Sequence, residues 1–275
     1  MEVLNMAFQI NGFYPAPVQT AVEYTPPQVM RGEPRRSLVR VHFPNSSTTL
    51  SYYNERFDLK PEDVVYVEGK MAGQLGLVQD VSYNFKIRRS DYKQVIALVD
   101  PTVHGEFFIA ESHFVTFDPA ALTAEQAIPW FRAPAAEDEE YIVSCDGESF
   151  PLNDLSGLKV SPVIAQRGRD YYLENRVLAL FLEGSRGQAI VEGSQCYTVE
   201  FTYRDGQISA LTCDCPCGYA CKHQYAAMLQ LRETLDLVEQ HYADHFRRTG
   251  HLAAISKSVF FHFAIMSRKT GSFSL

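Results

Sequence analysis

The chain has 275 residues, of which 46% are hydrophobic and 21% charged, and its formal net charge is −8. This length provides for two compact domains with ordinary cores, and the composition excludes general disorder. The acidic balance argues against a protein that coats nucleic acid by bulk charge. No apolar run reaches the ~18 residues of a membrane span, and no signal peptide is recognisable at the N-terminus. We therefore expect a cytoplasmic protein that does not contact membranes.

Short β-type segments dominate residues 37–118. They are rich in Val, Tyr, Phe and Thr and are separated by turn-forming residues such as Pro44-Asn45 and Lys60-Pro61. This pattern is typical of a small antiparallel barrel or sandwich. A short helix is predicted over 120–131, where Thr123 and Gln126 have capping-box spacing. Residues 1–134 are therefore predicted to form a mainly β, barrel-like N-terminal domain.

The negative charge is concentrated in residues 135–156, which contain seven carboxylates and no Lys or Arg. Such a block is typical of a solvated linker. The flanking segments 1–134, 157–248 and 249–275 carry net charges of −3, −1 and +3. Most of the excess charge thus belongs to the predicted acidic linker. The net charge therefore no longer excludes a nucleic-acid partner, although it does not argue for one either.

The second half of the chain has an α+β pattern. A helix is predicted over 160–175, beginning at Ser161-Pro162, and four strands follow within 176–213. A helix of roughly 20 residues is predicted after them from its heptad-like apolar stripe. We assign 157–248 to an α+β domain and 249–275 to a C-terminal tail. The apolar stretch in that tail is too short to span a membrane and is expected to pack as a helix or strand.

Four of the six cysteines lie within residues 213–221, and a histidine follows at 223. Disulfides explain this crowding poorly, because a bridge needs specific Cα distances and an oxidising compartment. Cys213 and Cys215 end a predicted strand, and its period of two sends both sulfurs to one face. Cys221 and His223 open the long helix, where the positive end of the helix dipole favours a thiolate. Three sulfurs and one nitrogen with no open position indicate a structural zinc site.

Cys217 leaves an ambiguity within this pattern, because five candidates compete for four positions. It is interpreted as a spare loop thiol, but zinc could use it in place of Cys215. Four thiolates could alternatively hold an iron–sulfur cluster, although the spacing differs from that of ferredoxins. Cys196 begins a strand and is expected to be a small buried apolar residue.

The pattern Cys-x-Cys-Pro-x4-Cys-x-His resembles the SWIM-type zinc finger, as do the preceding RGRDYY and GSQCYTV and the following CKHQYAAMLQL. The resemblance covers about residues 160–238. It implies one structural zinc ion held by Cys213, Cys215, Cys221 and His223, and a role in binding DNA or protein without chemistry of its own. Bacterial modules of this type are found beside Swi/Snf-type helicase ATPases, which are therefore the implied partner.

A second resemblance concerns residues 61–81. Gly69, Gly73 and Gly76 follow a predicted strand with a spacing similar to the KOW motif of SH3-like barrels. A plain barrel hairpin would give the same spacing, and we favour that interpretation. Four cations follow, interleaved with Tyr83, Phe85 and Tyr92: Lys86, Arg88, Arg89 and Lys93. They form either a surface for phosphates and bases or a solvated strand face.

No catalytic pattern is recognisable in the sequence. The H-E-x-x-H, G-x-S-x-G and phosphate-loop motifs are absent. His241 and His245 are four residues apart and are interpreted as a solvated helix end. We therefore predict no catalytic or cofactor-binding residues and no small-molecule substrate. The predicted function is a non-enzymatic zinc-binding module that binds nucleic acid, DNA rather than RNA, as an accessory to a helicase; the alternative is a protein–protein adaptor with a purely structural zinc.

Overall fold

The computed structural model describes residues 32–134, 142–145, 147–266 and 272–275. The chain divides into two compact units. Of the described residues, 32–101 and 125–134 belong to an N-terminal unit, and the others belong to a C-terminal unit. Among the described residues, no helix combines the length and apolar character needed to cross a membrane.

The N-terminal unit contains one five-stranded antiparallel sheet. Its strands are β1 (Ser37–Phe43), β2 (Thr48–Asn54), β3 (Val64–Val67), β4 (Gly76–Ser82) and β5 (Val95–Val99), in the order β2-β1-β4-β3-β5. A parallel bridge between Tyr53 and Gln94 brings the two edge strands together, so the sheet closes into a small barrel. The short helix α1 (Ala124–Phe131) also belongs mainly to this unit.

The barrel interior explains the glycine at the start of β4. A Cβ atom on Gly76 would lie 2.3 Å from Cγ1 of Val41 and 2.8 Å from Cε1 of Phe43, and both of these side chains are fully buried. Gly69, in the turn between β3 and β4, has a φ of +85°, which favours glycine. The predicted hairpin is therefore present. Because any barrel hairpin has these requirements, a relationship to the KOW motif stays a prediction.

The C-terminal unit contains ten strands and four helices among its described residues. The strands are β6 (His104–Glu106), β7 (Phe108–Ala110), β8 (His113–Thr116), β9 (Ser149–Pro151), β10 (Val177–Glu183), β11 (Arg186–Glu192), β12 (Cys196–Arg204), β13 (Gln207–Cys213), β14 (His251–Ser256) and β15 (Ser272–Ser274). The helices are α2 (Pro162–Leu173), α3 (Lys222–His241), α4 (Ala243–Thr249) and α5 (Lys257–Met266). Eight strands form an antiparallel sheet in the order β7-β8-β14-β10-β11-β12-β13-β9, and β6 pairs separately with β15.

Helix α3 packs against this sheet, and its buried residues share one core with the strands. Met228 and Leu231 of α3 are fully buried, as the apolar stripe in the sequence predicts. Helix α2 crosses the first turns of α3 at close range. A Cβ on Gly168 would lie 2.7 Å from Cβ of Tyr225 and 3.0 Å from the Lys222 carbonyl oxygen. This glycine therefore permits the close contact that brings α2 beside the start of α3.

The structure confirms the predicted α+β class and the β-rich N-terminal region. The helix predicted over 160–175 corresponds to α2, which begins after Ser161, whose Oγ accepts a hydrogen bond from the Ile164 N–H at 3.3 Å. The four strands predicted within 176–213 correspond to β10 to β13, and the long helix to α3. The apolar stretch 259–266 lies in α5, in agreement with the helical option.

Several strands lie outside the domains in which the sequence pattern puts them, although the boundaries themselves stay predictions. Strands β6 to β8 fall within 1–134 but belong to the C-terminal unit. Strand β9 lies in the segment interpreted as a linker but pairs with β13, and Phe150 within it and Leu152 directly after it are buried. Strand β14 lies in the predicted tail and is buried at every position. Residues 135–141 and 146 of the predicted linker lie outside the described residues.

One buried histidine makes the stability of the C-terminal unit dependent on pH. His113, in β8, is inaccessible to solvent, and its Nε2 donates to the Val177 carbonyl oxygen at 2.8 Å. Burial lowers the pKa of His113 from 6.5 to about 4. The folded unit therefore keeps this ring neutral at mildly acidic pH, where the unfolded chain takes up a proton.

We expect His113 to contribute stability that is present above pH 6.5 and is lost as the pH falls toward 4. The loss between pH 7.5 and 5 should be about 2 kcal/mol of unfolding free energy. Urea unfolding of the zinc-loaded protein at several pH values measures it, and His113→Gln should flatten the pH dependence by that amount. The exposed His262 supplies the control, since His262→Gln should leave the profile unchanged. Parallel profiles for wild type and His113→Gln would contradict this account.

Candidate metal centre

Four side chains from three consecutive parts of the fold converge at one place. Cys213 ends β13, Cys215 lies in the loop that follows, Cys221 directly precedes α3 and His223 lies in the first turn of α3. Their ligand atoms all lie within 4.8 Å of one another. The Sγ atoms of Cys213 and Cys221 are 3.8 and 3.7 Å from Nδ1 of His223. These are the four residues that the sequence pattern predicted.

The loop between the first two cysteines is held by backbone and side-chain hydrogen bonds to β12. The N–H of Asp214 donates to the Thr198 carbonyl oxygen at 3.2 Å, and Oδ1 of Asp214 accepts from the Thr198 N–H at 2.8 Å. Asp214 thus extends the contact with β12 beyond the end of β13. It fixes the backbone on which Cys213 and Cys215 are carried.

A glutamine joins the second half of the cluster to the first. Oε1 of Gln224 accepts from the Cys221 N–H at 2.8 Å, which satisfies a backbone donor at the start of α3. Nε2 of the same side chain donates to the Leu211 carbonyl oxygen in β13 at 3.1 Å. Gln224 therefore sets the distance between the strand that carries Cys213 and the helix that carries His223.

Two tyrosines and a glycine orient the His223 ring. The ring stacks on Tyr197 with centroids 4.6 Å apart, and Tyr171 lies at 5.6 Å. A Cβ on Gly193 would lie 2.9 Å from Nε2 of His223 and 2.8 Å from Cε2 of Tyr197. Nε2 is buried and has no hydrogen-bond partner among the described residues. Nδ1 faces the Sγ atoms of Cys213 and Cys221 and is on that ground the nitrogen available to a metal.

The pKa shifts of the three clustered cysteines show why a bound cation would stabilise the cluster. The hydrogen bond from the Cys213 thiol, together with the neighbouring His223, lowers the pKa of Cys221 to about 4. The same hydrogen bond, together with burial, raises the pKa of Cys213 far above its ordinary value. Burial raises the pKa of Cys215 to about 11. Side by side, these thiols cannot all ionise at neutral pH, but a divalent cation among them would stabilise three thiolates at once.

The segment that carries the cluster matches the sequence model of a known zinc-finger family. Residues 198–232 match the family model of the SWIM zinc finger. This SWIM segment runs from β12 through β13 and the metal loop to the middle of α3. No curated protein and no solved structure is significantly similar to the chain. The predicted resemblance to the SWIM family is thereby confirmed, and the compact set of three sulfurs and one nitrogen fits one zinc ion.

The other sequence candidates lie elsewhere. Cys217 is exposed and is not among the clustered ligand atoms, and Cys145 is also exposed. Cys196 is only half-buried, contrary to the expectation of a buried residue. His241 ends α3, whereas His245 lies in α4, so the two histidines are not on one helix. The residues that support the cluster, Asp214 and Gln224, were missed because they follow no ligand-spacing rule.

Replacing a clustered cysteine should abolish metal binding. We expect Cys221→Ser to purify with less than about one-tenth of the wild-type zinc, because a neutral hydroxyl is a poor substitute for a thiolate ligand. Cys217→Ser is the matched control and should retain one zinc per chain. Inductively coupled plasma mass spectrometry of the purified proteins gives both values. Full zinc in Cys221→Ser, or loss in Cys217→Ser alone, would contradict the assignment.

The packing around His223 generates a second expectation. Gly193→Ala should weaken zinc binding about tenfold, because the new methyl group displaces the His223 and Tyr197 rings. Gly218→Ala is the control, since nothing lies within 4 Å of a Cβ at that position. Competition with a chromophoric zinc chelator measures both affinities. Equal affinities for the two variants would show that Gly193 does not control the ring.

Proposed function

We propose that this chain is a zinc-dependent, non-enzymatic module that binds nucleic acid in the cytoplasm, DNA in preference to RNA, beside a helicase ATPase. Four protein ligands around one zinc ion leave no coordination position for a substrate. Such an ion stabilises the fold of the loop and the helix start instead of performing chemistry. The SWIM match supports the zinc-binding part of this proposal.

Cationic residues directly beside the metal cluster support the proposed nucleic-acid binding. Nζ of Lys222 lies 4.4 Å from the ring centroid of Tyr171, and Cζ of Arg176 lies 4.7 Å from it. Tyr171 in turn contacts the metal-facing His223. Two cations are thus held over one aromatic ring at the start of α3. The charged ends of these two side chains provide N–H donors for phosphate oxygens.

The metal loop adds an exposed aromatic residue. Tyr219 lies between Cys215 and Cys221, and 92% of its surface is exposed. Zinc ligation on both sides would fix the loop and so restrict the positions that this ring can adopt. A ring held in this way can stack on a base or pack against a sugar. Nucleic-acid binding through this surface should therefore depend on zinc.

A protein–protein adaptor is the alternative, and one observation favours it. Val163 and Leu173 of α2 are 60% and 66% exposed. Exposed apolar side chains on a helix are suited to packing against a partner protein. The salt dependence of binding separates the two proposals, because counterion release accompanies phosphate contacts and not apolar ones. A helicase ATPase gene adjacent to the gene for this chain would support the proposed partner under either alternative.

The nucleic-acid proposal predicts salt-dependent binding that requires zinc. In fluorescence anisotropy with labelled duplex and single-stranded DNA, log K should fall linearly with log salt, and chelation should weaken binding. Lys222→Gln should weaken binding at low salt about threefold or more and lower the slope by about 0.9 for a lost duplex phosphate contact. Lys159→Gln removes the same charge elsewhere and is the control. Absent or salt-independent binding would reject this function in favour of the adaptor.

A further inference from the structure

A second cationic surface lies on the N-terminal unit. Its residues are more than one hundred positions from the metal cluster in the sequence. Cζ of Arg35 lies 4.0 Å from the ring centroid of Tyr83, and Cζ of Arg89 lies 5.6 Å from that of Tyr53. Tyr53 also contacts Phe85 edge-on, with centroids 6.3 Å apart. We call this set, together with Arg36, the arginine–tyrosine surface.

One carboxylate holds two of these arginines side by side. Glu55 accepts from Nη2 of Arg89 at 2.5 Å, and Nε of Arg36 lies 3.9 Å from its other oxygen. The Tyr53 hydroxyl donates to Glu55 at 3.0 Å, which fixes the carboxylate in turn. The Arg36 and Arg89 side chains remain 78% and 63% exposed. A guanidinium has five N–H donors, more than a shared carboxylate accepts, so both can bind a further anion.

The charge of the surroundings reinforces this arrangement. Arg35, Arg36 and Arg89 outnumber Glu55, so the contact network itself is cationic. The segment 83–94 adds three exposed cations, Lys86, Arg88 and Lys93, and one exposed acid, Asp91. These cations were noted in the sequence analysis, but the contribution of Arg35 and Arg36 was missed. Arg35 and Arg36 directly precede β1, some 50 residues earlier in the chain, and the fold of the barrel brings them near the segment.

We infer that the arginine–tyrosine surface binds single-stranded nucleic acid, an inference that rests on the nucleic-acid-binding function proposed above. Arg36 and Arg89 contact backbone phosphates, and an unpaired base stacks on the Arg35–Tyr83 pair. Tyr83 is 40% exposed, whereas Tyr53 is buried and positions Arg89. A duplex hides the faces of its bases within the stack, but a single strand offers them to aromatic and guanidinium planes. The combination of planar groups and phosphate donors therefore favours a single strand.

The stacking part of the inference is tested with fluorescein-labelled dT20 and the zinc-loaded full chain. Tyr83→Ala should weaken binding about tenfold, because the base loses its aromatic platform. Tyr83→Phe keeps the ring and should bind within about twofold of wild type. Because the Tyr83 hydroxyl makes only a 3.5 Å contact with the Leu59 carbonyl oxygen, both variants are expected to fold. Circular dichroism checks this before binding is measured.

The phosphate contacts are tested with Arg36→Gln combined with Arg89→Gln. This double variant should lower the slope of log K against log salt by about 1.4, since each lost single-strand phosphate contact contributes about 0.7. The control removes the same charge from the C-terminal unit with Arg186→Gln and Arg247→Gln, whose side chains are 74% and 61% exposed. The control should keep the wild-type slope.

The outcomes distinguish this inference from the proposed function. If wild type binds DNA and neither the Tyr83 nor the arginine variants change that binding, the surface is not the site, while the proposed function stands. If wild type binds no nucleic acid, both fail. Equal dependence of duplex binding on Tyr83 would overturn the preference for single strands. Binding to phosphatidylserine vesicles in place of dT20, lost in the arginine double variant, would identify a membrane-binding surface instead.

Discussion

The C-terminal unit places three thiols and an imidazole within 4.8 Å of one another, and the local structure depends on this close placement. Without a cation, ionising one thiol opposes ionisation of the next, and burial opposes all of them. A zinc ion among the ligands would replace this mutual opposition by attraction, and its binding is coupled to the folding that brings them together. Much of the local structure serves that requirement, because Asp214 and Gln224 tie the loop and the helix start to neighbouring strands.

Two glycines permit the close packing that fixes the positions of the side chains around the metal cluster. Gly168 lets α2 approach α3, and Gly193 leaves the space in which the His223 ring lies against Tyr197. Neither position has a φ in the left-handed region, so a larger residue is excluded by its neighbours and not by the backbone. The aromatic residues that orient His223 therefore depend on the absence of a side chain opposite them. A second tyrosine, Tyr171, contacts both the His223 ring and the surface cations Lys222 and Arg176.

The metal centre was more accessible to sequence analysis than the arrangement of the domains. Its ligands lie within eleven residues, so local periodicity predicts their convergence from the end of β13 and the start of α3. Local pattern also predicts β10 to β13 and the two longer helices. It does not reveal that β8 and β14 pair with each other, because the residues concerned are more than a hundred positions apart. The supporting residues Asp214 and Gly193 were missed for a related reason, since their role depends on a neighbour across the sheet or helix.

The position of β14 has a consequence for how the protein is made. This strand lies between β8 and β10 in the sheet, yet it follows all the metal ligands in the chain. During translation, the facing edges of β8 and β10 stay unpaired until residues 251–256, which form β14, have left the ribosome. The metal-binding segment can fold before β14 joins the sheet. Until then, the unpaired edges of β8 and β10 can form hydrogen bonds with strands of other chains. Newly made chains therefore depend on β14 to avoid aggregation, although it emerges well after the zinc ligands.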